Sequence, residues 1–101
     1  YRAALKLNPN LPEAYTNLGN IYGRQERFDE AIDFYLEAIR IKPEYAYAHY
    51  NLAVAYLRLG DTAETEKQLL LVLELDPDLK PAQDLLQTVQ AAQQPPPTPP
   101  N

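Results

Sequence analysis

The sequence predicts an all-α protein that folds as an α-α superhelix, a solenoid of antiparallel helix pairs. The first observation is a period of 34 residues, at which three sets of positions match: Pro9, Pro43 and Pro77; Ala14, Ala48 and Ala82; Leu18, Leu52 and Leu86. The second is that apolar residues recur three and four apart twice in every period, which is the spacing of one helix face. The third is the position of the prolines, because a proline disfavours helix in the residue before it. Two helices per period, with breaks between the units, follow from these observations.

The same signals divide the chain into its elements in order. Helices are expected over residues 1–8, 12–24, 28–41, 46–59, 62–75 and 79–93. These form the C-terminal part of a truncated upstream repeat (1–11), two complete repeats (12–45 and 46–79) and a C-terminal capping helix (80–94) whose Gln-rich face suits water. The remaining segment, 95–101, is rich in proline, which lacks the backbone N–H that a helix needs, so we expect a disordered, extended tail.

Residues at the packing positions of each unit resemble those of the tetratricopeptide repeat (TPR) family. The first repeat matches the family pattern with Tyr15, Leu18, Gly19, Tyr22, Ala31, Tyr35, Ala38 and Pro43. The second fits less closely, with His49, Leu52, Ala53, Tyr56, Thr65, Leu69, Val72 and Pro77, and Ala53 and Thr65 are the clearest departures. The resemblance implies that the first helix of each repeat lines an inner, concave surface on which an extended peptide or a partner helix lies.

Composition and charge exclude several classes of function. The net charge of −5 argues against a nucleic-acid partner, because such binding depends on clustered Lys and Arg. The chain contains no Cys, so disulfides and thiolate metal sites are excluded. No run approaches the roughly 20 apolar residues that cross a bilayer, so we expect no membrane insertion. The first residues do not resemble a signal peptide either, and we expect a cytoplasmic location.

Catalytic and metal chemistry find little support in the residues. The single histidine, His49, aligns with Tyr15 at a helix-packing position, which predicts a packing role. The many carboxylates could serve as acid pairs or hard-metal ligands, but a solvated outer helix face explains them better. Glycine loops that bind phosphate and helices with paired metal-binding histidines are missing from the sequence. We therefore expect no enzyme activity, no cofactor and no metal.

Carried onto this sequence, the resemblance assigns contact residues to the concave face. They are Thr16, Asn17, Asn20 and Arg24 in the first repeat and Tyr47, Tyr50, Asn51, Val54 and Arg58 in the second. Spacings of three, four and seven place them on one stripe of each helix, apart from the residues that pack inside. An asparagine amide both donates and accepts, so Asn17 and Asn51 suit the backbone of an extended ligand. This pair resembles the asparagine ladder of the protein O-linked N-acetylglucosamine transferases. The alternative is that both amides satisfy neighbouring helix backbone.

The charged members of this stripe indicate an acidic ligand. Arg24 and Arg58 offer forked donors that match a carboxylate or a phosphate. The alternative is a favourable placement of positive charge at helix C-termini, worth about 0.3 to 1 kcal/mol each. A carboxylate clamp like that of chaperone-binding co-chaperones is disfavoured, because Thr16, Pro81 and Leu85 replace the cations that it needs.

Three hypotheses for function follow. The first is a protein interaction scaffold that holds an extended peptide or partner segment in the concave groove. The second is a substrate-recruiting arm of a larger enzyme, such as a glycosyltransferase. The third is self-association through the truncated N-terminal edge, where Ala4, Leu5 and Leu7 lack their upstream partner. The proline-rich tail has the PxxP spacing of a peptide ligand, although a linker is the preferred interpretation.

Overall fold

The computed structural model describes residues 11–93, which fold into five α-helices of 14 residues each. They are α1 (Leu11–Arg24), α2 (Phe28–Ile41), α3 (Ala46–Leu59), α4 (Thr62–Leu75) and α5 (Lys80–Gln93). Each helix packs against the next one along the chain, and α1 also contacts α3. This arrangement confirms the all-α superhelix of helix pairs, and the predicted helix bounds are correct to within one residue. The predicted helix over 1–8 and the tail over 95–101 lie outside the described residues.

The core runs along the array as three successive clusters of buried side chains. The cluster between α1, α2 and the start of α3 contains Tyr15, Ala38 and Ala48. The next contains Ala31, Ile32, Tyr35, Leu52 and Ala55, and the last, between α3, α4 and α5, contains Ala53, Leu69, Val72, Ala82, Leu86 and Val89. A fully buried Leu contributes about 1.5 to 3 kcal/mol relative to an exposed one. Because the apolar surface is distributed in this way, each helix pair depends on its neighbours for burial.

The turns inside the two repeats share one backbone conformation but use different residues. Glu26 and Gly60, which are 34 positions apart, have φ angles of 63° and 85°, both in the left-handed region. Glycine adopts this conformation without strain, whereas a residue with a Cβ atom pays roughly 1 to 2 kcal/mol. The sequence predicts the break at Gly60 from residue type, but Glu26 gives no such signal.

Helix α4 begins with a side-chain cap that α2 lacks. The Asp61 carboxylate accepts a hydrogen bond from the Glu64 backbone N–H at 3.2 Å, which satisfies one of the free donors in the first turn. At the equivalent position before α2, Arg27 makes no such cap, and its guanidinium instead forms two 2.7 Å bonds with the Glu30 carboxylate. The start of the second helix is therefore better satisfied in the second repeat.

Candidate functional site

A cavity of about 420 Å³ opens between α1, α2 and α3. We call it the donor pocket, and its lining comprises Asn20, Gly23, Arg24, Phe28, Tyr35, Tyr47, Asn51, Val54, Ala55 and Arg58. Six of the nine predicted contact residues are in this set: Asn20, Arg24, Tyr47, Asn51, Val54 and Arg58. The helical spacing on α1 and α3 therefore brings most of the predicted stripe to one concave place.

A chain of two hydrogen bonds crosses the donor pocket. The Tyr35 hydroxyl donates to Asn20 Oδ1 at 2.6 Å, and Asn20 Nδ2 donates to the Tyr47 hydroxyl oxygen at 3.2 Å. Tyr35 reaches the pocket from α2 because Gly19 leaves room for its ring, and a Cβ atom at position 19 would lie 2.5 Å from Tyr35 Cε1. The family pattern assigns Tyr35 to packing, so sequence reasoning missed its polar role; the small residue at 19 was the available signal.

The Tyr35 hydroxyl is the first donor of this hydrogen-bond chain. Burial raises the pKa of Tyr35 to about 12, the nearby Tyr47 adds to the increase, and Arg24 opposes it. The Tyr35 hydroxyl is protonated at neutral pH and donates to Asn20 Oδ1, an amide oxygen that can only accept. Asn20 then presents its N–H to the oxygen of Tyr47. The hydroxyl hydrogen of Tyr47 has no acceptor among residues 11–93 and is free to donate to a ligand.

Two arginines add positive charge to the rim of the donor pocket. Arg24 is exposed and forms no ion pair within the described part of the chain. The Arg58 guanidinium lies 5.3 Å from the centre of the Phe28 ring and 3.8 Å from the Glu26 carboxylate. The Arg58 and Glu26 side chains are 58% and 77% exposed, so their ion pair is worth less than about 1 kcal/mol. Both guanidinium groups are therefore available to an anion.

The two predicted asparagines differ in their surroundings. Asn51 lines the donor pocket, and its Nδ2 atom is buried without a hydrogen-bond partner. An unsatisfied buried donor costs about 1 to 3 kcal/mol, so packing does not explain this amide. Asn17 is exposed and is not part of the pocket lining. Hydrogen bonding to neighbouring helix backbone, the alternative weighed for both amides, occurs for neither of them among the described residues.

Thr16 is a correction to the predicted set. Its side chain is fully buried, and its hydroxyl donates to the Pro12 carbonyl oxygen at 2.8 Å, one turn earlier in α1. The prediction placed Thr16 on the accessible face because its spacing from Asn20 is that of one helix stripe. The side chain instead faces inward and satisfies its own helix, so a ligand cannot reach it in this structure.

Tyr50 lies outside the donor pocket, in a second cavity next to it. This cavity, of about 280 Å³, lies between α3 and the start of α5, and we call it the apolar pocket; it is lined by Ala46, Tyr47, Tyr50, Asp76, Leu79 and Pro81. Tyr50 also packs against the core cluster shared by α3, α4 and α5. Tyr47 is 47% exposed and lines both cavities, so its ring forms the wall between them.

The single histidine is buried, as its alignment with Tyr15 predicts. His49 Nδ1 lies 2.8 Å from Gln68 Oε1, and Nε2 lies 2.8 Å from the Pro43 carbonyl oxygen. Both ring nitrogens are thus used in joining α3 to α4 and to the preceding loop. Within residues 11–93, no group of three His, Cys, Asp or Glu side chains could hold a metal ion. None of the helices described there has the length and apolar character needed to cross a membrane.

Comparisons with known proteins agree with the repeat architecture. A family model described as TPR repeat matches residues 1–26 and 20–60, and one described as tetratricopeptide repeat matches residues 46–79. The peroxisomal targeting signal receptors of Candida glabrata and Saccharomyces cerevisiae are 37% and 36% identical to this chain over 75 residues. Those matches cover 74% of this chain but only 13% and 12% of the relatives. The human protein O-mannosyl-transferase TMTC3 is 28% identical over 80% of this chain, which spans 9% of that protein.

Solved structures give the same result in three dimensions. The first TPR of Spaghetti (RPAP3) bound to the HSP90 peptide SRMEEVD superimposes with a TM-score of 0.76 at 29% identity. That match covers 84% of this chain and 65% of the other. The first TPR domain of human RPAP3 matches with a TM-score of 0.54 at 24% identity, which supports the fold alone. The repeat period, the helix pairs and these matches together mean that this chain belongs to the tetratricopeptide repeat family.

Proposed function

We propose that this chain is a protein interaction scaffold that holds an extended segment of a partner protein in its concave groove, formed by the donor pocket and the apolar pocket. An acidic group of the partner lies between Arg24 and Arg58. One observation carries the proposal: the donor pocket presents the free hydroxyl hydrogen of Tyr47 and two available guanidinium groups. Donors of this kind, gathered in a concave site, favour a carboxylate or a backbone carbonyl.

The comparisons support a peptide ligand in general but not the same mode of binding. A structural neighbour is a TPR bound to an HSP90 peptide, and several relatives are named as receptors for a peroxisomal targeting signal. In this chain Thr16 is buried, and apolar Pro81 and Leu85 stand where a carboxylate clamp needs cations. The positive charge that would bind an acidic group comes instead from Arg24 and Arg58, in the last turns of α1 and α3.

Substitution of both arginines tests the proposal. Binders would be selected from a library of short random peptides displayed on phage, and the chosen peptide titrated by calorimetry. The Arg24→Gln, Arg58→Gln double variant is expected to bind it at least about tenfold more weakly, since a hydrogen bond to a charged group contributes about 1.5 to 3 kcal/mol. Arg40→Gln, which removes a charge from the outer face of α2, serves as the matched control. Selection of peptides without acidic residues, or equal binding by the double variant, would contradict the proposal.

Asn51 provides a second test. We expect Asn51→Ala to weaken peptide binding while the thermal midpoint stays constant or rises, because no hydrogen bond of Asn51 is lost on substitution. Tyr50→Ala is less informative, because Tyr50 also packs against the core. Circular dichroism beside the titration separates binding from folding. A loss of helix content in Asn51→Ala would show that the amide is structural.

A second candidate function is the substrate-recruiting arm of a larger enzyme. The similarity to TMTC3, a protein O-mannosyl-transferase, favours it, and catalysis would then reside in another part of the parent protein. Glycosyl transfer by the parent to a protein acceptor, measured with and without Arg24→Gln and Arg58→Gln, tests this candidate. An increase in KM for the acceptor with unchanged kcat is expected, and an unaffected KM would exclude it.

Two further expectations stay predictions. If the chain self-associates through the N-terminal edge, the molecular mass measured by light scattering should increase with protein concentration and should fall when residues 1–8 are removed. A mass that does not change with either would exclude it. The cytoplasmic location is also untested, and fluorescence microscopy of the tagged parent protein would test it.

A further inference from the structure

The groove consists of two chemically different compartments, and this difference indicates what kind of segment fits. The donor pocket is rimmed by Arg24 and Arg58. The apolar pocket contains no cation, and its one charged residue is Asp76, which repels an acidic group. The aromatic faces of Tyr47 and Tyr50, together with Leu79, offer apolar area. An acidic side chain is therefore favoured on one side of Tyr47 and an apolar side chain on the other.

Both compartments use residues of α3, so the rise of that helix gives the axial distance between a residue of one and a residue of the other. Tyr50 and Arg58 are eight residues apart in this helix. At a rise of 1.5 Å per residue, that separation is about 12 Å along the helix axis. An extended chain advances about 3.3 Å per residue, so about three to four residues span the distance.

The wall between the compartments favours an extended ligand over a helical one. The hydroxyl hydrogen of Tyr47 has no acceptor among the described residues, and Tyr47 lines both compartments. An extended segment exposes its backbone carbonyl groups, whereas a helix satisfies them internally. A helical ligand would also need about eight residues to span the same distance.

We infer that the partner segment is an extended peptide with an acidic side chain and an apolar side chain three to four residues apart. The acidic group binds between Arg24 and Arg58, the backbone accepts a hydrogen bond from Tyr47, and the apolar side chain enters the apolar pocket. This inference rests on the proposed function and adds to it the composition and the spacing of the ligand.

A series of synthetic peptides measures the spacing directly. Each peptide is acetylated and amidated at its ends and carries one Glu and one Leu in a Ser-Asn background, with the two adjacent or about three, four or eight residues apart. Fluorescence anisotropy should give the tightest binding at three or four, by about tenfold over peptides with Glu alone or Leu alone. Equal binding at all spacings would overturn the inference and leave the proposed function intact. Binding of none of the peptides, Glu alone included, would overturn both.

A filled apolar pocket supplies the matched variant. Ala46 lies at the first residue of α3 and lines this pocket, so Ala46→Phe should occupy it and abolish the preference for a spacing. Ala63→Phe places the same ring on the exposed face of α4, outside the groove, and should preserve the preference. A preference that survives Ala46→Phe would overturn the inference.

Two alternative occupants of the apolar pocket can be tested with Ala46→Phe and with a protein that lacks residues 95–101. If Ala46→Phe lowers the mass of the protein in light scattering, a second copy of this chain is the occupant. If removal of residues 95–101 strengthens binding of all peptides equally, the chain's own C-terminal segment is the occupant. Either result would overturn the inference. An unchanged mass and unchanged relative affinities are expected.

Discussion

The two complete repeats join their helices by different chemistry at the same positions. In the first repeat the Phe34 ring stacks on Tyr15 and Tyr22, with ring centres 6.2 and 5.2 Å away. In the second repeat the positions of Tyr15 and Phe34 are taken by His49 and Gln68, which are joined at 2.8 Å. A buried polar pair, in which each His49 ring nitrogen has a polar neighbour at 2.8 Å, thus replaces an aromatic pair. The same two positions of a repeat therefore accept either an aromatic contact or a polar contact between the helices.

A second difference between the two repeats concerns the residues at the groove. Gly19 and Tyr35 of the first repeat correspond to Ala53 and Leu69 of the second. The Tyr35 ring lies over Gly19, and its hydroxyl forms a hydrogen bond with Asn20. In the second repeat, Leu69 is fully buried in the core and has no polar group, and Val54 stands at the position of Asn20. The two positions together, one on each helix, therefore give the first repeat a polar wall and the second repeat an apolar wall.

The largest effect is expected from Gly19→Ala. The added Cβ would lie 2.5 Å from the Tyr35 ring, which must shift within a packed core, and overpacking of this kind typically costs about 1 to 3 kcal/mol. We expect a loss near the upper limit in urea unfolding. Adding Tyr35→Leu, which copies the second repeat, should recover most of it. Gly23→Ala in the same helix is the control, since its Cβ meets only the Tyr35 hydroxyl at 3.8 Å and the protein should be stabilised slightly. Equal losses in Gly19→Ala and Gly23→Ala would contradict this account.

His49→Ala should destabilise the second repeat by about 2 kcal/mol, because the buried Gln68 amide loses its partner. Thermal unfolding followed by circular dichroism measures this loss. The double substitution His49→Tyr, Gln68→Phe transfers the aromatic pair of the first repeat. It should be more stable than His49→Ala, and a less stable double variant would show that the two repeats are not interchangeable at these positions.

Alkaline pH should weaken the first repeat, because it carries Tyr35 where the second has Leu69. The folded-state pKa of Tyr35, about 12, exceeds its ordinary value of 10.0, so its contribution is complete below pH 10 and is lost as pH rises to about 12. The expected loss of unfolding free energy is on the order of 1 to 2 kcal/mol. Burial also raises the pKa of Tyr45 and Tyr56, so Tyr35→Phe should retain part of the decline. Urea midpoints between pH 9 and pH 12 test this, and equal declines in both proteins would contradict it.

The smallest effect is expected at the left-handed turn. Glu26→Gly copies Gly60 of the second repeat, and relief of backbone strain should stabilise the protein by about 1 kcal/mol. It also removes the carboxylate beside Arg58, so an acidic peptide should bind more tightly. Glu26→Gln keeps the strain but removes the charge and should improve binding alone. If neither variant binds the peptide more tightly, Glu26 does not compete with the ligand.

The fold followed from the sequence because its signals repeat. Prolines 34 residues apart and apolar residues three and four apart fixed the helix bounds to within one residue. Stripe geometry also placed most of the predicted contact residues around one cavity. It was wrong for Thr16, because helical spacing gives a direction around the helix but not the depth of the neighbouring helix. It missed Tyr35, because whether a buried tyrosine reaches a polar partner depends on the space above Gly19.

The pairing of Glu26 with Arg58 has a consequence for how such arrays evolve. The carboxylate belongs to the turn of one repeat and the guanidinium to the first helix of the next. Gene duplication or reordering of units would set a different turn residue next to each arginine. The order of the units, as well as their individual sequences, would then determine which partners an array selects.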